Sequence, residues 1–134
     1  MHHILLVEDN PADVHLLRIA LTDAGVEADL TVFDDGATAL AYVEEHCHNT
    51  DIPKIDLAII DLNVPKRGGL EILSAMRACR QFASVPALVL TSSLSDRDRE
   101  SALQFPLARF LVKASNLDDF LKIGAEVRAT LAHR

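Results

Sequence analysis

Hydrophobic positions in this chain alternate between two patterns. Short, nearly unbroken apolar runs occur at Ile4–Val7, Leu57–Ile60, Pro86–Thr91 and Pro106–Val112, and Ala28–Phe33 reads as a further strand. Between them the apolar residues are spaced by three and four. Val14, Leu17, Leu21 and Ala24 are one such stripe, and Ala37, Leu40, Ala41 and Val43 another. Leu70, Leu73, Met76 and Arg80, with Ile72 and Cys79 beside them, are a third, and Phe120, Ile123, Val127 and Leu131 the last. Short continuous runs bounded by turn residues predict strands buried on both faces, and the stripes predict amphipathic helices.

Punctuation supports the same division. Asn10 followed by Pro11 reads as a side-chain cap with proline at the first helical position, and Gly25 as the glycine that ends that helix. Asp34, Asp35 and Gly36 turn the chain after the second strand, and the second helix fades near His46–His48. Residues 49–54 are polar, contain Pro53, and read as a loop. Ser95 can cap a short helix through Leu103, and Ser115 with Asp118 resembles a capping box. Strand and helix therefore alternate five times. The expected fold is α/β: a single-domain, doubly wound (βα)5 sandwich with a five-stranded parallel sheet. No repeat or linker is visible, and the last helix consumes the chain, so residues 1–134 are expected to be one domain without an output domain.

Composition narrows the function. The chain is 49% hydrophobic and 25% charged, ordinary for a soluble globular domain of 134 residues. A net charge of −7 argues against non-specific nucleic-acid binding. There is neither an apolar run of membrane-spanning length nor a signal-peptide pattern, so the expectation is a cytoplasmic protein with no membrane association. Cys47 and Cys79 are not in C-x-x-C spacing and are expected to be reduced. His46, Cys47 and His48 fit no compact tetrahedral metal pattern, and His2 and His3 read as a solvated chain end.

The chemistry lies just past the strand ends. Glu8 and Asp9 follow the first strand, Asp61 ends the third with Asn63 two residues on, Thr91 to Ser93 close the fourth, and Lys113 follows the fifth. In a doubly wound sheet these points share one rim beside the topological switch point. Taken singly, Asp61 could cap a strand, and Glu8 and Asp9 could favour a helix N-terminus through its dipole. Together, three carboxylates on one rim repel, and a hard divalent cation offsets that cost through oxygen ligands. Lysine adds a compact positive charge, threonine a hydroxyl donor, and the small Ser92 leaves access to Asp61. This inventory suits phosphoryl transfer to a carboxylate.

The chain resembles the receiver domains of two-component response regulators. The matching pieces are L-L-V-E-D-N at Leu5–Asn10, I-I-D-L-N-V-P at Ile59–Pro65, G-G-L at Gly68–Leu70, L-T-S-S at Leu90–Ser93 and F-L-V-K at Phe110–Lys113. Asp61 and Thr91 are 30 residues apart, and Thr91 and Lys113 are 22 apart. The resemblance implies the flavodoxin-like strand order 2-1-3-4-5. It implies that Asp61 accepts phosphate from a sensor histidine kinase or a small phosphodonor. It further implies that Glu8, Asp9, Asp61 and the Asn63 backbone carbonyl hold Mg²⁺ (or Mn²⁺), that Thr91 and Lys113 contact the phosphoryl group, and that Phe110 occupies the place of the family's rotating aromatic switch. The signal would leave through the surface of the fourth helix, fifth strand and fifth helix, toward a downstream protein target or a histidine phosphotransfer protein. Homodimerisation through the last helices is compatible with this, and a core role for Phe110 without switching is equally so.

E-D-N-P-A-D-V near the start, D-L-N-V-P-K-R-G-G, and the long segment before the third strand are similar to the small regulators that partner bacterial phytochromes. Two features depart from the family. Ala114 follows Lys113 where proline, often cis, is usual, and a cis bond before a non-proline residue costs about 2.5–4 kcal/mol. Q-F-P-L-A-R precedes the fifth strand in place of a small-residue pair. Two other functions draw on part of the same residues. An aspartyl-nucleophile phosphatase of the haloacid dehalogenase-like class usually has a second acid two residues after the nucleophile, where this chain has Asn63. A pseudo-receiver that docks without phosphate would not need the full set of Glu8, Asp9, Asp61, Thr91 and Lys113.

Overall fold

A computed structural model describes residues 1–49, 51–92, 96–113 and 116–132. Strands and helices alternate throughout: β1 (His2–Val7), α1 (Pro11–Asp23), β2 (Ala28–Phe33), α2 (Gly36–Glu45), β3 (Leu57–Asp61), α3 (Gly69–Arg77), β4 (Ala87–Thr91), α4 (Asp96–Leu103), β5 (Ala108–Val112) and α5 (Leu117–Ala132). The five strands form one parallel sheet in the order β2-β1-β3-β4-β5.

The period of two in each strand builds two cores. Leu5, Val7, Ala58, Ile60, Ala87 and Val89 face α2, α3 and Ala102 of α4. Ile4, Leu6, Leu57, Ile59, Leu88 and Leu90 face α1 and α5. The central strands β3 and β4 are buried at every position, which is why their sequences read as unbroken apolar runs. The α1–α5 layer is very close: a Cβ on Gly124 would lie 2.4 Å from the Ala20 carbonyl oxygen. Only glycine allows α5 to pack at that distance.

Local signals fall where the residues dictate. The Asn10 side chain accepts from the Ala12 N–H at 2.9 Å with Pro11 at the first helical position, and Gly25 ends the segment at φ +75°. Asp35 caps α2 through the Thr38 N–H at 2.7 Å. The expected caps at Ser95 and Ser115 lie outside the described residues, as does the Lys113–Ala114 bond.

Three expectations are corrected. The third helix stops at Arg77, so Arg80 is outside it and exposed, and the buried face is Ile72, Leu73 and Met76. His2 and His3 are part of β1, drawn into the sheet by pairing with Ala28 and Asp29. Cys47 and Cys79 are joined by a disulfide, with Cα atoms 5.1 Å apart. Packing of α2 against α3 brings the ends of those helices together, and the Gln81 N–H donates to the Cys47 carbonyl at 3.0 Å beside the bond. No spacing along the chain encodes that approach.

Candidate functional site

Strand register assembles the site. Val7 pairs with Ile60, so Glu8 and Asp9 emerge beside Asp61 at the point where the strand order reverses. Asp61 pairs with Leu90 and Thr91 with Val112, which brings Thr91 and Lys113 onto the same rim. The Lys113 N–H donates to the Thr91 carbonyl at 2.6 Å, carrying the β4–β5 ladder one step past the strands.

Asp61 is 5% exposed. One of its oxygens, Oδ1, accepts the Asn63 N–H at 2.9 Å, and Oδ2 accepts from Lys113 Nζ at 2.9 Å. The start of α3 presses against the back of this strand end. A Cβ on Gly69 would meet the Asp61 carbonyl oxygen at 2.8 Å, so the glycine lets the helix begin there. Glu8 is 4% exposed, accepts the Asn10 N–H at 3.1 Å through Oε1, and meets Lys113 Nζ at 2.8 Å through Oε2. Asp9 is exposed. One carboxylate oxygen each from Glu8, Asp9 and Asp61 lie within 4.8 Å of one another. An all-oxygen, acidic donor set of this size fits a hard divalent cation. The Asn63 side chain turns elsewhere: its Nδ2 donates to Thr91 Oγ1 at 3.0 Å.

The charges perturb each other. Burial pushes the Glu8 carboxyl up from 4.5 to about 7; the Lys113 hydrogen bond pulls it down, and the Asp61 charge adds to the rise. Desolvation outweighs the salt bridge here. For Lys113 burial disfavours the ammonium, but hydrogen bonds to Asp13, Glu8 and Asp61 more than offset this and raise its pKa. The net result is an ammonium held firmly among carboxylates.

All the site residues expected from sequence are brought together at one rim except Phe110. That ring lies along β5 opposite Val89, half-buried against the core beneath α2, α3 and α4. Sequence reasoning missed Asp13, whose Oδ2 is 2.7 Å from Lys113 Nζ. Its position in the first turn of α1 has a plain explanation, the helix dipole, and nothing along the chain ties it to a lysine one hundred residues away.

A model of the response regulator receiver domain matches residues 4–124. Response regulator Rcp1 of Synechocystis sp. is 31% identical over 120 residues, covering 90% of this chain and 82% of Rcp1. The Mn²⁺-bound form of Rcp1 superposes with a TM-score of 0.81 at 28% identity, over 96% of this chain and 93% of that one. The phosphorylated cyanobacterial phytochrome response regulator RcpA gives 0.84 at 28% identity, over 98% and 95%. The parallel order β2-β1-β3-β4-β5, the acidic rim at its switch point and these matches have one common account: the chain belongs to the response regulator receiver domain family, the phosphoacceptor modules of two-component signalling.

Proposed function

We propose that Asp61 is the phosphoacceptor, that Glu8, Asp9, Asp61 and the Asn63 carbonyl hold Mg²⁺, and that Thr91 and Lys113 bind the transferred phosphoryl group. The observation that carries this reading is the buried Asp61 carboxylate at the end of β3, next to Glu8 and Asp9 and hydrogen-bonded to Lys113. In the transfer, the bond from phosphorus to the donor nitrogen of a kinase phosphohistidine breaks as a bond to an Asp61 oxygen forms. The released imidazole keeps the electron pair and takes a proton from solvent. A bound divalent cation would neutralise charge building up on the phosphoryl oxygens.

The resting contacts define what must change. Phosphorylation adds about −1.5 to −2 of charge and new acceptor oxygens. Lys113 then trades carboxylate contacts for a phosphoryl oxygen. Thr91 leaves its hydrogen bond with Asn63 to donate its own proton to another. The space beside Thr91 opens to Phe110, and the α4–β5–α5 surface repacks. Similarity to Rcp1 and to the phytochrome regulator RcpA supports a phytochrome-type sensor kinase as donor. The output is docking on a protein target or a histidine phosphotransfer protein, from the cytoplasm, where the Cys47–Cys79 bond is open to reduction.

Intact mass after incubation with acetyl phosphate, with and without Mg²⁺, tests the assignment. Wild type gains one phosphoryl group only with Mg²⁺, and Asp61→Asn gains none while keeping its melting temperature within a few degrees. Equal labelling of Asp61→Asn would sink the role of Asp61.

A further inference from the structure

Lys113 has three N–H donors and three carboxylate partners: Asp13 at 2.7 Å, Glu8 at 2.8 Å and Asp61 at 2.9 Å. Two of these are claimed twice. Glu8 and Asp61 also belong to the carboxylate cluster with Asp9, where a divalent cation fits. Asp13 is the exception. It reaches the ammonium from the first turn of α1, makes the shortest of the three contacts, and is not part of that cluster. Lys113 itself is only 12% exposed in its side chain, so water cannot readily replace a lost partner.

These facts set up a competition. A cation taking oxygens of Glu8 and Asp61 withdraws two of the three partners of a nearly buried ammonium, and it also repels that ammonium. Truncating a partner of a buried charge is strongly unfavourable. One carboxylate with no share in the cation site relieves the conflict. We propose that Asp13 is a positioning residue that keeps Lys113 at the rim when a divalent cation occupies the Glu8–Asp9–Asp61 cluster, and that it thereby sets the cation affinity of the unphosphorylated protein. This rests on the assignment of that cluster to the cation. Asp13 touches neither the phosphoryl group nor the cation and acts through the lysine. With it, Lys113 stays within reach of the incoming phosphoryl. Without it, the lysine clings to Glu8 and Asp61 and opposes cation entry.

The test is a double-mutant cycle on the full chain, reading Mn²⁺ affinity by electron paramagnetic resonance with no phosphodonor present. Asp13→Asn weakens binding about tenfold in the wild-type background, a modest share of what removing one partner from a buried ion pair can do. In the Lys113→Met background the same change has less than about twofold effect, because the residue it acts through is gone. Asp13→Glu recovers most of the affinity. Asp23→Asn, which removes the same charge from the far end of α1, leaves it unchanged. In ¹⁵N spectra, with diamagnetic Mg²⁺ in place of Mn²⁺, the Lys113 ammonium signal broadens on cation addition in Asp13→Asn but persists in wild type. An equal loss in both backgrounds would make Asp13 a plain negative charge and overturn the proposal, as would no loss in either. If wild type bound no Mn²⁺ at millimolar concentration, the cation cluster would fail as well. Acetyl phosphate labelling of wild type tests the phosphoacceptor separately.

Discussion

The Glu8 carboxyl makes the metal-free protein less stable as pH rises. Its side chain is nearly sealed, and burial raises it from 4.5 to about 7. In the unfolded chain it returns to the ordinary value. Between those two pH values the folded state therefore binds more protons than the unfolded state. A folded pKa raised for an acid means stability that is complete below about pH 4.5 and is lost as pH climbs through 7. Moving a carboxyl across that interval corresponds to about 3 kcal/mol. For a domain of this size such a loss lowers the melting temperature by roughly 10 °C.

The assay is thermal unfolding in EDTA from pH 5 to pH 8, on wild type and Glu8→Gln. Glutamine keeps the shape and cannot titrate, so the difference between the two curves isolates Glu8 from the histidines and other groups. Wild type is expected to fall relative to the variant by roughly 10 °C over the range. Saturating Mg²⁺ should remove the fall, because the cation binds the ionised carboxylate and releases about half a proton at pH 7. Parallel wild-type and variant curves without metal would refute the reasoning, because burial of Glu8 would then carry no proton linkage.

Two further outcomes follow from the same contacts. Lys113→Ala removes the ammonium shared by Glu8, Asp13 and Asp61. It should still take phosphate slowly but show none of the phosphate-dependent shifts in α4, β5 and α5 in ¹⁵N spectra, and wild-type shifts in the variant would remove Lys113 from the switch. Gly124→Ala drives a methyl into the Ala20 carbonyl oxygen, since the added Cβ would sit 2.4 Å away. It should cost about 1–3 kcal/mol in urea unfolding, and an unchanged midpoint would show that α1 and α5 separate freely.

Much of this was legible along the chain because the signals were local. The apolar runs become strands because a doubly wound sheet buries its central strands on both faces, and Asn10, Pro11 and Gly25 act through neighbours two to four residues away. The rim was legible because strand ends converge by topology, so position relative to a strand was enough for Glu8, Asp61, Thr91 and Lys113. What escaped depends on packing across layers. Asp13 meets Lys113 only because the first turn of α1 and the lysine side chain that follows β5 converge on the same rim. Cys47 and Cys79 meet only through the approach of α2 and α3. Arg80 continued a stripe, but Ala78 already caps the helix, donating its N–H to the Ser74 carbonyl at 3.1 Å.

Under the proposed mechanism, the resting contacts set where a phosphate signal has leverage. A ligand shifts a two-state equilibrium only through contacts that differ between the states. The proposed mechanism gives that position to two groups, the Lys113 ammonium and the Thr91 hydroxyl, and each has a partner before phosphorylation. They are also joined to each other, since the Lys113 N–H donates to the Thr91 carbonyl. Drawing both toward a phosphoryl group therefore pulls on the ends of β4 and β5 together. Two pairs further back along the ladder, Val89 faces Phe110, and the period of two puts their side chains on the same face of the sheet as that of Thr91. In the proposed switch, space vacated by Thr91 would open on the face that carries the half-buried Phe110 ring, whose strand leads to the exposed Val112. The proposed switch needs no longer route than these two residue pairs, one strand period apart.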